Sequence, residues 1–220
     1  MRASDTAYAS LRDDILHWEF PPGTVFAEVE QAQRLSLSRT PIREAFARLT
    51  AEGLLVTLPG RGLVVSDLSR ETIVELFELR RVLEAEAARL AAVRRPVEVF
   101  AELRDGFAAA HLLLESDAGL GAYYELVTRL DTAMDAAVQS RFLVAAIRQL
   151  RPHLIRARRL ARDNPERLRQ AANEHLMIVE AIVDGDAELA ASTTSIHLKR
   201  SLKNILAAID STEKATSSTA

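Results

Sequence analysis

The sequence predicts a mainly α fold in two parts: a small mixed N-terminal domain and a larger C-terminal helical bundle. Three observations predict it. Glycine and proline are few, 8 and 7, and most of this punctuation falls in the first third, at Pro21-Pro22-Gly23, Pro41 and Pro59-Gly60-Arg61-Gly62. From residue 69 on, Ala/Leu/Glu/Arg stretches recur with helical spacing. The 220 residues are 48% apolar and 27% charged, an ordinary globular composition of a length that suits one large domain or two small ones. The boundary is placed at Ser66-Asp67-Leu68-Ser69. This gives a first domain over 1–67, a helical domain over 68–210 and a polar, disordered tail over 211–220.

The first domain reads as helix, turn, helix, turn, helix, hairpin. Tyr8, Leu11, Ile15 and Trp18 recur at i+3 and i+4 and predict an amphipathic helix over 5–19, stopped by Pro21-Pro22-Gly23. A short helix runs from Glu28 to Leu35 with Val29 and Ala32 inward. Leu37 to Pro41 breaks it and opens the next helix. Ser38 or Thr40 can cap, and Pro41 is tolerated in a first turn whose N–H groups lack intrahelical partners. Ile42, Phe46 and Leu49 mark the buried face, and Gly53 is a natural terminator. Leu54–Leu58 and Leu63–Ser66 flank a four-residue loop and predict a β-hairpin. The second domain reads as six helices at about 70–95, 97–116, 118–139, 141–162, 165–184 and 186–209, a bundle in which ligand sites are built from facing side chains.

Composition narrows the function. The absence of cysteine excludes a disulfide scaffold, thiolate zinc fingers and cysteine nucleophiles, and fits a reducing cytoplasm. No apolar run approaches the roughly 18 residues of a membrane span. The N-terminus has no apolar core of a secretory signal. A net charge of −3 means that any nucleic-acid contact must come from a local patch.

Two short helices and a hairpin in this order form a winged helix-turn-helix, whose second helix enters a major groove by its N-terminal residues. Those residues are Ser38, Arg39, Thr40 and Arg43. The hydroxyls and open backbone N–H groups suit phosphates, and Arg39 can reach guanine O6 and N7 with both arms. Arg61 at the hairpin tip can reach a phosphate or the minor groove. Residues 1–67 carry seven arginines, no lysine and nine acids. The acids Asp5, Asp13, Asp14 and Glu19 lie on the first helix, while Arg39, Arg43, Arg48 and Arg61 lie on the reading helix and wing. The domain is acidic in sum and basic on one face.

In the helical domain, Asp131 and Asp135 are i, i+4 and share a helix face. His175 and His197 are isolated imidazoles beside aliphatic residues on two other helices. These four could converge on a divalent cation such as Zn, Ni or Mn. An exposed acid pair with two hydrogen-bonded core histidines explains the same residues. The basic run from Arg156 to Arg162 reads as an exposed helix end in which Arg156 or Arg159 could hold an anionic effector. His153 is a spare ligand candidate, and His17 and His111 read as structural or surface residues.

The tract SRTPIREAFxRLxAEGLL, residues 38–55, resembles the GntR family of bacterial transcription regulators. FELRRVLEAEAARLAA, residues 77–92, resembles the opening helix of the FadR-type ligand-binding (FCD) domain. The resemblance covers roughly residues 5–209. It implies an N-terminal domain that binds operator DNA as a homodimer, and a helical domain that binds a small metabolite. It places Ser38, Arg39, Thr40, Arg43 and wing Gly60 at positions that contact DNA in relatives, with Val29 where many relatives carry an arginine. It also implies that Arg80 points into the pocket, where its guanidinium could grip an organic-acid effector. Metal-binding members pair an Asp-x3-His with a histidine in an E-H-x-x-I-x-x-A-I tract and another in the last helix. Asp131, His175 and His197 match that set, and Asp135 stands in place of a histidine.

The leading expectation is a ligand-responsive, dimeric, cytoplasmic transcription regulator. The alternatives are a metal-dependent hydrolytic enzyme and an architectural DNA-binding protein with an inert helical domain.

Overall fold

The computed structural model describes residues 2–160 and 164–217. The chain divides into two compact units, Met1–Thr72 with Arg151–Arg159, and Ile73–Leu150 with Leu160–Ala220. The fold is mainly α with one two-stranded sheet.

The first unit holds α1 (Ala3–Leu16), α2 (Glu28–Arg34), α3 (Arg39–Ala51), β1 (Leu55–Leu58) and β2 (Gly62–Val65). This is the predicted order. Leu11 and Ile15 of α1 and Ile42, Ala45 and Leu49 of α3 are fully buried, and Phe26 and Phe46 pack beside them at 5.5 Å between ring centroids. Burial of such side chains contributes about 1.5–3 kcal/mol each and outweighs the weak local preferences of a short helix. The strands pair antiparallel from Leu55 opposite Val65 to Leu58 opposite Gly62. The wing loop therefore has three residues rather than the expected four, because Gly62 belongs to β2. Gly60 and Gly62 take φ of 75° and 77°, which glycine alone adopts at no steric cost.

All three helices of this unit end in the same way. After α1 the Glu19 N–H reaches Asp14 O and the Trp18 N–H reaches Ile15 O, with Trp18 left-handed at φ 64°. After α2, Leu37 and Ser36 bond back to Ala32 and Gln33, with Ser36 at φ 54°. After α3, Leu54 and Gly53 do so to Leu49 and Thr50, with Gly53 at φ 71°. Each is a Schellman closure, which satisfies orphan carbonyls and turns the chain sharply. Only the third uses glycine. Hence α1 stops at Leu16, three residues before the expected end, and Pro21-Pro22-Gly23 follows the turn rather than making it. Val29, expected inward, is 53% exposed, because α2 turns Gln31 and Ala32 to the core instead.

Segment 151–159, read from the sequence as part of the helical domain, packs in the first unit. Arg156 is fully buried there. Its Nη1 donates to Ser66 Oγ at 2.7 Å and its Nη2 to Ser66 O. His153 Nε2 donates to Glu52 O at 2.9 Å, and its ring lies 3.4 Å from where a Cβ on Gly53 would stand. Arg156 was expected as an effector ligand. It is instead spent on the chain just after the wing.

The second unit is drawn from α4 (Arg70–Arg94), α5 (Val97–Ala108), α6 (Ala110–Leu113), α7 (Asp117–Val138), α8 (Arg141–Leu160), α9 (Pro165–Asp184) and α10 (Ala187–Ser217). The single helix expected over 97–116 is two. At Ala109 the ladder tightens, with the Leu112 N–H reaching Ala109 O at 3.0 Å in an i to i+3 bond. The basic end at Arg162 lies outside the described residues, as do 218–220 of the expected tail. The described part of that tail is helical to Ser217. Its stretch Ser211–Ser217 contains no glycine or proline to stop a helix. Phe100, Leu103, Tyr123, Val179 and Ile182 form the core with a set of alanines. Arg95 closes one end by donating to Ala92 O and Val183 O.

Arg156→Ala should lower the stability of the first unit by about 2–4 kcal/mol, since it removes two charge-assisted bonds and leaves a void. Trp18 is the only tryptophan and lies in this unit. The loss should therefore read as a lower urea midpoint in its fluorescence.

Candidate functional site

The exposed face of the first unit is built by α2 and α3. The apolar spacing of α3 buries Ile42, Ala45, Phe46 and Leu49, which leaves Arg39 and Arg43, one turn apart, side by side at the surface. Their side chains are 58% and 60% exposed. Ser38 is the N-cap residue of α3 but makes no side-chain cap bond among the described residues. First-turn N–H groups left without such a cap are ready donors to a phosphate. Thr40, Gly60 and Arg61 are exposed. Arg48, also on α3, is engaged elsewhere: it bonds Asp5 at 2.9 Å and lies 3.6 Å over the Tyr8 ring.

Sequence reasoning missed Glu28. Its Oε2 accepts from Arg39 Nε at 3.2 Å, Arg39 Nη2 at 2.8 Å and Arg43 Nε at 2.8 Å. These bonds, Arg39's first, hold its carboxyl below the usual range. The sequence carried only a faint signal, an acid in the first turn of α2.

A buried polar cluster marks the second unit. The His175 and His197 rings lie 4.5 Å apart, one from α9 and one from α10. Tyr123 of α7 meets His175 Nδ1 at 3.2 Å. Glu174 is 4% exposed. It accepts from both Nη atoms of Arg167 at 2.7 and 2.9 Å, from His197 Nδ1 at 2.7 Å and from Arg200 at 3.1 Å. Burial pushes the Glu174 carboxyl up, but the bonds from His197 and Arg167 outweigh it and draw the pKa to about 2. Burial lowers the His197 imidazole, with Glu174 opposing and the charges of Arg167 and Arg80 adding to the fall. Neutral His197 therefore keeps its proton on Nδ1, toward Glu174, and presents Nε2 as the basic atom.

The expected site residues are only partly gathered. His175 and His197 come together. Arg80 is buried as expected, stacks 4.6 Å over Phe77 and raises its field at His197, but its Nε and Nη2 go to Glu84 at 2.7 and 3.1 Å. Asp135 bonds Arg148 at 2.9 Å. Asp131 is half-buried. Among the described residues, no three histidine, aspartate or glutamate side chains are grouped so as to hold a metal ion. For a divalent ion, the imidazole pair and its carboxylate support fit, while the third donor is not brought in. His111 is exposed and bonds Ala108 O, and His17 bonds Asp13 O, both locally as expected.

Glu174→Ala should destabilise the second unit by about 3–5 kcal/mol, because it strands the nearly buried Arg167 without its counter-charge; calorimetry would measure it. His153 and His197 are both held below the ordinary histidine range by burial. The unfolded chain therefore binds their protons first. Stability should be full above about pH 6.5 and fall as pH drops below it. His153→Gln keeps a donor for Glu52 O and should flatten that fall in melting temperature between pH 7 and 5.

Comparison with known proteins gives a consistent result. The family described as "Bacterial regulatory proteins, gntR family" matches residues 3–65, and the FCD domain matches residues 75–200. The chain is 32% identical over 194 residues to the Nta operon transcriptional regulator of Aminobacter aminovorans, covering 86% of this chain and 88% of that one. It is 26% identical over 192 residues to the HTH-type transcriptional repressor RspR of Escherichia coli (strain K12), covering 87% and 84%. Its fold resembles the solved structure of McbR/YncC from E. coli, with a TM-score of 0.72 at 21% identity over 96% of this chain and 99% of that one.

Proposed function

The chain belongs to the gntR family of bacterial regulatory proteins and carries an FCD domain, and on that premise we propose how it reads DNA and what signal it answers. It is a transcription regulator, not an enzyme. Regulators of this family bind operator DNA. Ser38 at the N-cap of α3, Arg39, Thr40 and Arg43 within it, and Gly60 and Arg61 of the wing are the DNA contacts. The observation that carries this is the pair of exposed guanidinium groups at the open N-terminus of α3. Arg39 and Arg43 read base edges, and Arg61 meets a phosphate. One such helix covers too few base pairs to select a genomic site, so the protein acts as a homodimer on a near-palindromic operator, in the cytoplasm where that DNA lies.

The effector is a small organic acid received by His175, His197 and Arg80. A buried pair of imidazoles beside a guanidinium supports an anionic ligand. A second reading adds a divalent ion, Zn, Ni or Mn. The 4.5 Å approach of the two rings and the hold of Glu174 on His197 favour it. His175 and His197 would hold the ion, with Asp131 and, on leaving Arg148, Asp135. When bound, the ion would supply a Lewis-acid seat for a carboxylate.

Arg39→Ala and Arg43→Ala should each weaken operator binding by about 1–3 kcal/mol and relax choice at one base. Arg61→Ala should act evenly across sequences and reduce the salt slope. Electrophoretic shifts test both; two arginine variants that bind like wild type would remove the recognition-helix assignment. For the ion, chelator should lower the melting temperature, and His175→Ala and His197→Ala should each abolish that effect. Elemental analysis without metal, together with a melting temperature indifferent to chelator and to added Zn, Ni or Mn, would leave a metal-free carboxylate site.

A further inference from the structure

The two arginines of the DNA-reading face are not splayed into water. Both converge on one oxygen of Glu28, the first residue of α2. An anionic oxygen that accepts from two guanidinium groups is also what a DNA phosphate offers. Glu28 is 30% exposed and both arginines are more so. The trio therefore lies where a duplex would approach, in competition with it.

We propose that Glu28 is a specificity-determining residue, an internal substitute for a DNA phosphate that holds Arg39 and Arg43 until base contacts replace it. This rests on reading α3 as the recognition helix. Binding to DNA of any sequence is almost wholly electrostatic and scales with the number of phosphates neutralised. While Glu28 keeps the arginines, one of their two charges is cancelled, and a duplex that offers phosphate alone gains little by taking them. An operator that offers guanine O6 and N7 edges gives two-point bonds, which outcompete an exposed ion pair. Glu28 thus weakens binding to unrelated DNA more than binding to the operator. The i, i+4 spacing of Arg39 and Arg43 lets one oxygen reach both.

The test uses the full chain and two labelled probes read by fluorescence anisotropy. One is a random-sequence 30-bp duplex. The other is a duplex selected by the wild-type protein from a randomised pool. Glu28→Gln keeps the size and removes the charge. It should bind the random duplex about 3–10-fold tighter, with a log–log salt slope steeper by about one. The ratio of selected to random affinity should fall. Glu30→Gln removes the same charge from the same exposed helix and should change random-duplex affinity less than twofold. In an Arg39→Ala/Arg43→Ala background, Glu28→Gln should also change it less than twofold. The proposal is overturned if Glu28→Gln leaves random-duplex binding unchanged or weaker. It is equally overturned if Glu30→Gln matches it, or if the gain survives without the arginines, since general charge repulsion would then explain the effect. Failure of the recognition-helix reading is distinguishable, because Arg39→Ala and Arg43→Ala would then leave binding to the selected duplex intact. Circular dichroism and the Trp18 urea midpoint confirm folding. Should Glu28→Gln not fold, a third variant, Glu28→Ala, removes the carboxylate outright; it is held to the same expected gain on the random duplex, with no gain overturning the proposal. Glu28→Asp, which keeps the charge but shortens the reach, should gain less than Glu28→Ala.

Discussion

A carboxylate taken out of water must have its charge answered, and Glu174 imposes that condition on the second unit. Arg167 answers it from the first turn of α9, and His197 and Arg200 answer it from α10. The register of α9 against α10 follows, because the donors reach one side chain only if the helices lie in one alignment. The cluster is enclosed by an alanine-rich core in which Ala88, Ala91, Ala172 and Ala181 keep helix backbones close. Little room is left for rearrangement, so the imidazole pair is preorganised. His197 is oriented by Glu174, and His175 by Tyr123 and the ring of Phe107 at 5.2 Å.

The first unit obeys the opposite rule at its working face. There the charges stay in water and only the apolar flank of α3 is buried. Arg39 and Arg43 are 58% and 60% exposed and share the part-exposed carboxylate of Glu28. The charge buried in this unit is structural. Arg156 is pulled down to a pKa of about 10 by burial yet stays protonated at neutral pH, tied to Ser66. Arginine thus does different work at different depths: at Arg39 and Arg43 it meets the part-exposed carboxylate of Glu28, and at Arg156 it satisfies a backbone carbonyl.

Much of this was legible in the sequence, and the legible parts share a cause. The i+3 and i+4 recurrence of Ile42, Phe46 and Leu49 determined both the buried face of α3 and, by exclusion, the exposure of Arg39 and Arg43. Gly53 and Gly185, at φ 71° and 77°, ended helices where the sequence placed breaks, because glycine carries the left-handed conformation in its own chemistry. The motif tract around α3 and the tract that holds His175 lie within the stretches that match the gntR family and the FCD domain.

Tertiary structure decided the rest, for reasons that no local pattern encodes. Trp18 and Ser36 adopt left-handed turns that their residue types disfavour by about 1–2 kcal/mol, held by the burial of Leu11, Ile15 and Ala32 on either side. The sequence carries no mark of that trade. Val29 faces water and Gln31 the core because the packing of α2, not its hydropathy, chooses the face. The partners of Glu28, Arg156, Asp135 and Glu174 lie 7 to 90 positions away in the chain. The sequence by itself determined the helices, the wing and the residue types available for chemistry, since those follow from periodicity and local conformation. Which charge meets which was settled only by folding, because ion pairing depends on distances in space that sequence separation does not encode.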